Sequence, residues 1–152
     1  MRIEDLTAEL VRQHKNEITQ LYFDNVRSNQ FHDHYTWEEA EAKIDGLIVH
    51  LENGTAIVYS AFDEEEIIGF IWAYVHQFRE ETRMYVSEIR VKEEYRKRGI
   101  GSRLLELVEE KARELNLPAI YLHAEANNLN SMMFYADNGY VKERIQYRKE
   151  IS

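Results

Sequence analysis

The sequence predicts a mixed α/β domain, with helices covering a mostly antiparallel sheet of about six to seven strands. Three observations predict it. The first 54 residues hold two segments with apolar residues at helical spacing. Three consecutive segments after them are rich in β-branched and aromatic residues. The remainder then alternates helix, strand, helix, strand. The expected order is β-α-α-β-β-β-α-β-α-β, with about four helices.

Each element follows from its residues. "MRIEDL", Met1 to Leu6, reads as a short first strand. Thr7 to about Ser28 reads as one helix, with Leu10, Val11, His14, Ile18, Leu21 and Tyr22 on a common stripe. A second helix begins at Thr36, where Thr36 and Glu39 have capping-box spacing, and Gly54 lies just past its end. The segments "TAIVYSAF", "IIGFIWAYVHQF" and "RMYVSEIRV" form an antiparallel meander, with Asp63 to Glu66 as the first turn. Ile100, Leu104, Val108, Ala112 and Leu115 mark the stripe of a third helix. "PAIYLHA" reads as a strand, "NLNSMMFYADNG" as a short helix ended by Gly139, and "YVKERIQYRKE" as a last strand.

The whole chain sets bounds. At 152 residues, with 44% hydrophobic and 31% charged, it reads as one soluble domain spanning residues 1–152. No apolar run suits a membrane span, and the N-terminus lacks a signal-peptide layout. A cytoplasmic location with no membrane partner is therefore expected. No cysteine is present, which removes thiolate chemistry and disulfides. The net charge of −9 argues against nucleic acid as a partner and is compatible with a cationic substrate. His32, Asp33 and His34 are consecutive, a poor arrangement for one ion, and no metal is expected.

One stretch runs against the acidic background. Arg83 to Arg103 holds seven basic residues and three acidic ones. Within it, Arg96, Lys97 and Arg98 precede Gly99, Ile100, Gly101 and Ser102 at the start of the third helix. A helix N-terminus presents unpaired N–H groups and a partial positive charge. Glycines let an anion approach that backbone. The turn is thus a candidate phosphate site, most naturally for a pyrophosphate. It lacks the third glycine of a dinucleotide fingerprint, and no P-loop is present.

The stretch "EIRVKEEYRKRGIGSRLL" resembles the acetyl-coenzyme A motif of the GNAT N-acetyltransferase superfamily, with Arg96-x-x-Gly99-x-Gly101 after Val91. "NNLNSMMFYADNGY" resembles a second signature of that family through Asn128, Phe134, Tyr135 and Gly139. Ser131 stands where the family usually has alanine, and Tyr140 where it has phenylalanine.

The resemblance implies a GNAT-like fold and acetyl-coenzyme A as donor. The pyrophosphate would meet backbone N–H groups of Arg98, Gly99, Gly101 and Ser102, with Lys97 or Arg103 reaching an outer phosphate. The pantetheine arm would pair with the backbone of Ile89, Arg90 and Val91, and Asn128 would anchor it. Tyr135 occupies the place of the family's general acid. Glu88 is the expected base, with His123 and Glu125 in reserve and Glu125 also a substrate contact. On simple alternation Glu88 shares a strand face with Val86 and Arg90, opposite Tyr85, Ser87, Ile89 and Val91.

The resemblance places the acceptor near the link between the first two helices. Tyr22, Phe31, Tyr35 and Trp37 are candidates for its lining, as are Trp72 and Tyr74, with Asp24 or Asp33 drawing an ammonium group. Core packing is the competing role for these aromatics. The expected activity is acetyl transfer to a primary amine of a small molecule or peptide, by direct attack in a ternary complex. A non-catalytic coenzyme A-binding sensor or interaction module is the alternative, and a longer acyl donor a third option. The resemblance also admits a homodimer.

Overall fold

The computed structural model describes residues 1–28 and 32–151. They fall into two compact units, Met1–Leu122 and His123–Ser152.

The first unit begins with β1 (Arg2–Asp5), followed by α1 (Ala8–Gln13), α2 (Lys15–Arg27) and α3 (Trp37–Glu52). The single helix expected over Thr7 to Ser28 is therefore two. His14 breaks it at φ −103°, ψ 18°. Its ring packs edge-on to Phe62, and Nδ1 lies 3.2 Å from Glu17 Oε1, so tertiary and local contacts hold the bend. Both expected N-termini are capped: Thr7 accepts from the Leu10 N–H and Thr36 from the Glu39 N–H. Gly54, at φ +72°, turns the chain after α3.

The meander follows as β2 (Ala56–Asp63), β3 (Glu66–Phe78) and β4 (Glu81–Val91). A 3-10 turn (Glu93–Tyr95) then leads to α4 (Ile100–Glu114) and β5 (Ile120–Tyr121). The sheet order is β1-β2-β3-β4-β5, antiparallel up to β4 and parallel between β4 and β5. The mixed α/β class is as expected, with fewer strands. "PAIYLHA" ladders only at Ile120 and Tyr121.

Alternation along β3 divides the core. Phe70, Trp72 and Tyr74 face α1 to α3, in a cluster with Val11, Ile18, Tyr22, Ile44 and Leu47. The intervening Ile71 and Ala73 are also fully buried. The second face takes α4, which buries Ile100, Leu104, Leu105, Val108 and Ala112. Leu105 joins the stripe, while Leu115 caps the helix and stays 45% exposed.

The second unit contains α5 (Leu129–Asp137), capped by Asn128, whose Oδ1 accepts from the Ser131 N–H at 3.1 Å. Gly139, at φ +88°, follows its end. The strand expected at Tyr140 to Glu150 carries no ladder. Its apolar alternation suits a strand, but a strand also needs a hydrogen-bonding neighbour, which composition does not supply.

Candidate active site

Glu88 owes its position to an irregularity in β4. Glu88 pairs with Trp72, but the next pair along is Val86 with Ala73, so Ser87 is an extra residue. This overturns simple alternation. Val86 lies on the face shared with Ala73, whereas Glu88 joins Tyr85, which pairs with Tyr74. Arg90, opposite Phe70, keeps the same face as Glu88. The bulge therefore brings a carboxylate and a tyrosine from one strand onto the face that meets α2 and α3.

Glu88 lies among the phenols of Tyr22, Tyr74 and Tyr85, with Asn25 and Lys43 as polar neighbours. Burial pushes its carboxyl up to about 7, against smaller opposing effects from an Asn25 hydrogen bond and the Lys43 charge. Asn25 Nδ2 donates to Glu88 Oε2 at 2.8 Å. Burial, with the Glu88 charge next, raises the Tyr74 phenol to about 12. Tyr85 is raised by the same two causes. Tyr22 is raised by burial first, then by its Tyr35 hydrogen bond and by Glu88. All three phenols thus stay protonated beside a carboxyl that exchanges its proton at neutral pH.

The candidate acceptor residues divide. Tyr22 and Tyr35 come together, with their hydroxyls 3.3 Å apart. Trp72 is wholly buried, its ring stacked on Phe70 at 5.1 Å and tilted against Tyr22 at 5.2 Å, so it supports the site from the core. Trp37 packs edge-on to Phe23. Phe31 lies outside the described residues. His123 and Glu125 belong to the second unit.

The glycine turn has the geometry of an anion cradle. Gly99 caps α4 at φ +80°, and no side chain occupies the cap. Lys97 is also left-handed, at φ +63°. The first turn of α4 contains no acidic residue. Its N–H groups, from Ile100 through Ser102, have no intrahelical acceptor. The nearby cations have separate tasks. Arg96 Nε donates to the Val91 carbonyl at 2.9 Å, tying the turn to β4. Arg98 lies over the Tyr95 ring, and Tyr95 donates to Asp63 at 2.7 Å. Arg103 is engaged by Glu106 and Glu110, which competes with an outer-phosphate role. Lys97 makes no ion pair among the described residues and remains available.

β4 also offers an edge. It pairs with β3 along its length, but with β5 only at Met84 and Tyr85. Among the described residues, Ile89, Arg90 and Val91 thus have no neighbouring strand on that side, which suits an added extended ligand. An uncapped helix end for phosphates and an open strand edge for an amide-bearing arm together fit coenzyme A.

In the second unit, Tyr135 is partly buried, with Phe134 at 5.4 Å and Tyr140 edge-on at 6.0 Å. The Tyr140 N–H donates to the Tyr135 carbonyl. Asn128 caps this helix, so its side-chain oxygen already has a structural task.

Sequence reasoning missed Asn25 and Lys43. Each is an ordinary polar residue on a helix, and only the packing of α2 and α3 on the sheet brings them to Glu88. Among the described residues, no helix is long and apolar enough to cross a membrane.

Comparison with known proteins bears on this geometry. The family model described as "Acetyltransferase (GNAT) family" matches residues 12–140. The chain is 22% identical over 152 residues to Uncharacterized N-acetyltransferase YdgE of Bacillus subtilis (strain 168), covering 98% of this chain and 97% of that one. It is 30% identical over 93 residues to D-amino-acid N-acetyltransferase HPA3 of Saccharomyces cerevisiae, covering 59% of this chain and 58% of that one. Among solved structures, a mutant of the BH1408 protein from Bacillus halodurans superposes with a TM-score of 0.84 at 18% identity over 100% of both chains. The aminoglycoside N-acetyltransferase AAC(6')-Iy in complex with CoA gives 0.76 at 15% identity, over 98% of this chain and 93% of that one.

Proposed function

From the premise that the chain belongs to the acetyltransferase (GNAT) family, and so is an acetyl-coenzyme A-dependent N-acetyltransferase, we propose that it acetylates a primary amine by direct attack in a ternary complex. The observation that carries this reading is Glu88, a carboxyl held at about 7 among protonated tyrosines. An alkylamine has a pKa near 10 and attacks only when neutral, so a base is needed at neutral pH.

The donor supplies an acetyl group activated as a thioester. Gly99, Ile100, Gly101 and Ser102 bind its pyrophosphate through the α4 N-terminus, with Arg98 beside them and Lys97 adding charge. The open edge at Ile89, Arg90 and Val91 receives its extended arm, and in the second unit Asn128 and Ser131 keep the cofactor-binding role that their motif implies. Glu88 Oε takes the proton released by the attacking amine. Tyr135 holds a phenolic proton for the departing sulfur. Tyr22 and Tyr35 shape the acceptor side, with Trp72 as their backing.

The acceptor is a small molecule or peptide with a cationic amine. One relative is named for D-amino acids and one structural neighbour for aminoglycosides, and both classes carry amino groups. The chain's net charge of −9 favours such cations.

The test begins with calorimetric titration of the protein with acetyl-coenzyme A. A panel of amino acids, polyamines and amino sugars is then screened for thiol release. Saturable binding and amine-dependent release are expected. Absence of binding at millimolar donor would overturn the reading.

A further inference from the structure

Glu88 and Arg90 stand two residues apart on one face of β4. Elsewhere in this chain the same spacing produces a direct ion pair. Arg2 Nε lies 3.0 Å from Glu4 Oε1 in β1, and Arg83 Nε lies 2.7 Å from Glu81 Oε2 in β4. Glu88 and Arg90 form none. Asn25 of α2 stands between them, donating through Nδ2 to Glu88 Oε2 at 2.8 Å and accepting through Oδ1 from Arg90 Nη1 at 3.2 Å. Arg90 Nε is buried with no hydrogen-bond partner, so the guanidinium retains an unused donor.

We propose that Asn25 is a positioning residue for catalysis: its amide takes the place of a direct Glu88–Arg90 ion pair, fixing the carboxylate and keeping the guanidinium off it. This rests on Glu88 being the base.

The physical reason is the difference between a neutral and a charged neighbour. A guanidinium in contact lowers a carboxyl's pKa by about 1 to 3 units. That would leave Glu88 ionised but a poor proton acceptor at neutral pH. A neutral amide lowers it less, so burial prevails and the carboxyl stays near 7. The groups facing Glu88 agree with this account. Tyr22 from α2, Tyr74 from β3 and Tyr85 from β4 are neutral phenols, and Lys43 from α3 acts only through its charge. Arg90 is itself held below its ordinary value, by burial first and by Arg96 second, with Asp24 and Glu93 opposing.

The test needs no acceptor. The full chain, labelled with carbon-13 at glutamate carboxyls, is titrated by NMR. The Glu88 signal is assigned by its loss in Glu88→Gln. Wild type is expected to titrate near 7. In Asn25→Ala, Arg90 closes on the carboxylate and the midpoint falls by about one unit or more. In Asn25→Ala/Arg90→Met it returns to the wild-type value or above, since both the charge and the amide donor are gone. An unmoved or raised midpoint in Asn25→Ala alone overturns the proposal, because loss of a merely structural residue does not require Arg90.

If Asn25→Ala fails to fold, Arg90→Met decides. An insulated Arg90 predicts little change at Glu88, whereas a rise of about one unit means direct contact and overturns the proposal. Failure of the base reading is distinguishable. Full transfer activity in Glu88→Gln removes Glu88 as the base without altering these midpoints.

Discussion

Glu88 carries two separable consequences of one carboxyl. In the proposed base role, the unprotonated form accepts the proton, so kcat/KM should rise with pH through about 7. Glu88→Gln should flatten that limb and lower turnover by about 10²- to 10⁴-fold at neutral pH, with donor affinity retained. In stability, the sign runs the other way. A carboxyl raised from 4.5 to about 7 favours the folded state below about 4.5, and that contribution is lost as pH rises through 7. Glu88→Gln should therefore stabilise the protein by up to about 3 kcal/mol at pH about 8 and by almost nothing at pH about 4. Urea denaturation at the two pH values measures the difference. Equal effects at both would show that Glu88 is not buried as its surroundings indicate. Tyr135 has a narrower signature. Tyr135→Phe keeps the ring contacts with Phe134 and Tyr140 and removes one proton donor. Turnover should fall while calorimetric donor affinity stays within a few-fold, and unchanged turnover would remove the acid role.

Two elements carry the proposed positioning. The bulge at Ser87 turns the later half of β4 so that Glu88, not Val86, accompanies Tyr85. The N-terminus of α4 works by what it lacks, namely a capping side chain and an acidic first turn. Gly101→Glu adds both bulk and negative charge there. Acetyl-coenzyme A binding should fall below detection by calorimetry, with circular dichroism unchanged. Normal binding by that variant would move the phosphate site elsewhere. Gly99→Ala tests the conformation alone. The left-handed φ of +80° costs an L-residue roughly 1–2 kcal/mol, and that loss should appear in thermal unfolding.

Across the whole chain, a net charge of −9 contrasts with the basic residues before the glycine turn. If the acceptor is cationic, its capture is partly electrostatic, and the Debye length shrinks from about 30 Å at 0.01 M salt to about 8 Å at 0.15 M. The kcat/KM for a cationic amine should fall over that range, and a flat response would point to an uncharged acceptor. Much of this was legible in residue order. The meander, the capped α3, the apolar stripe of α4 and the glycine turn before it each follow from contacts within a few residues, whose periodicity and turn chemistry are local. The two motifs also pointed to the acetyltransferase family, to Glu88 and to Tyr135. The break at His14 was not legible, because its packing on Phe62 joins residues distant in sequence. Nor was the bulge, since register is a property of two strands and not of one. The final segment shows the same limit, with a strand's alternation and no ladder. What the sequence by itself determined was the kind of elements and the family to which the chain belongs. What only the tertiary structure decided was their environment. Burial gives Glu88 its proton affinity, and Asn25, 63 residues away, reaches it only because α2 packs on β4.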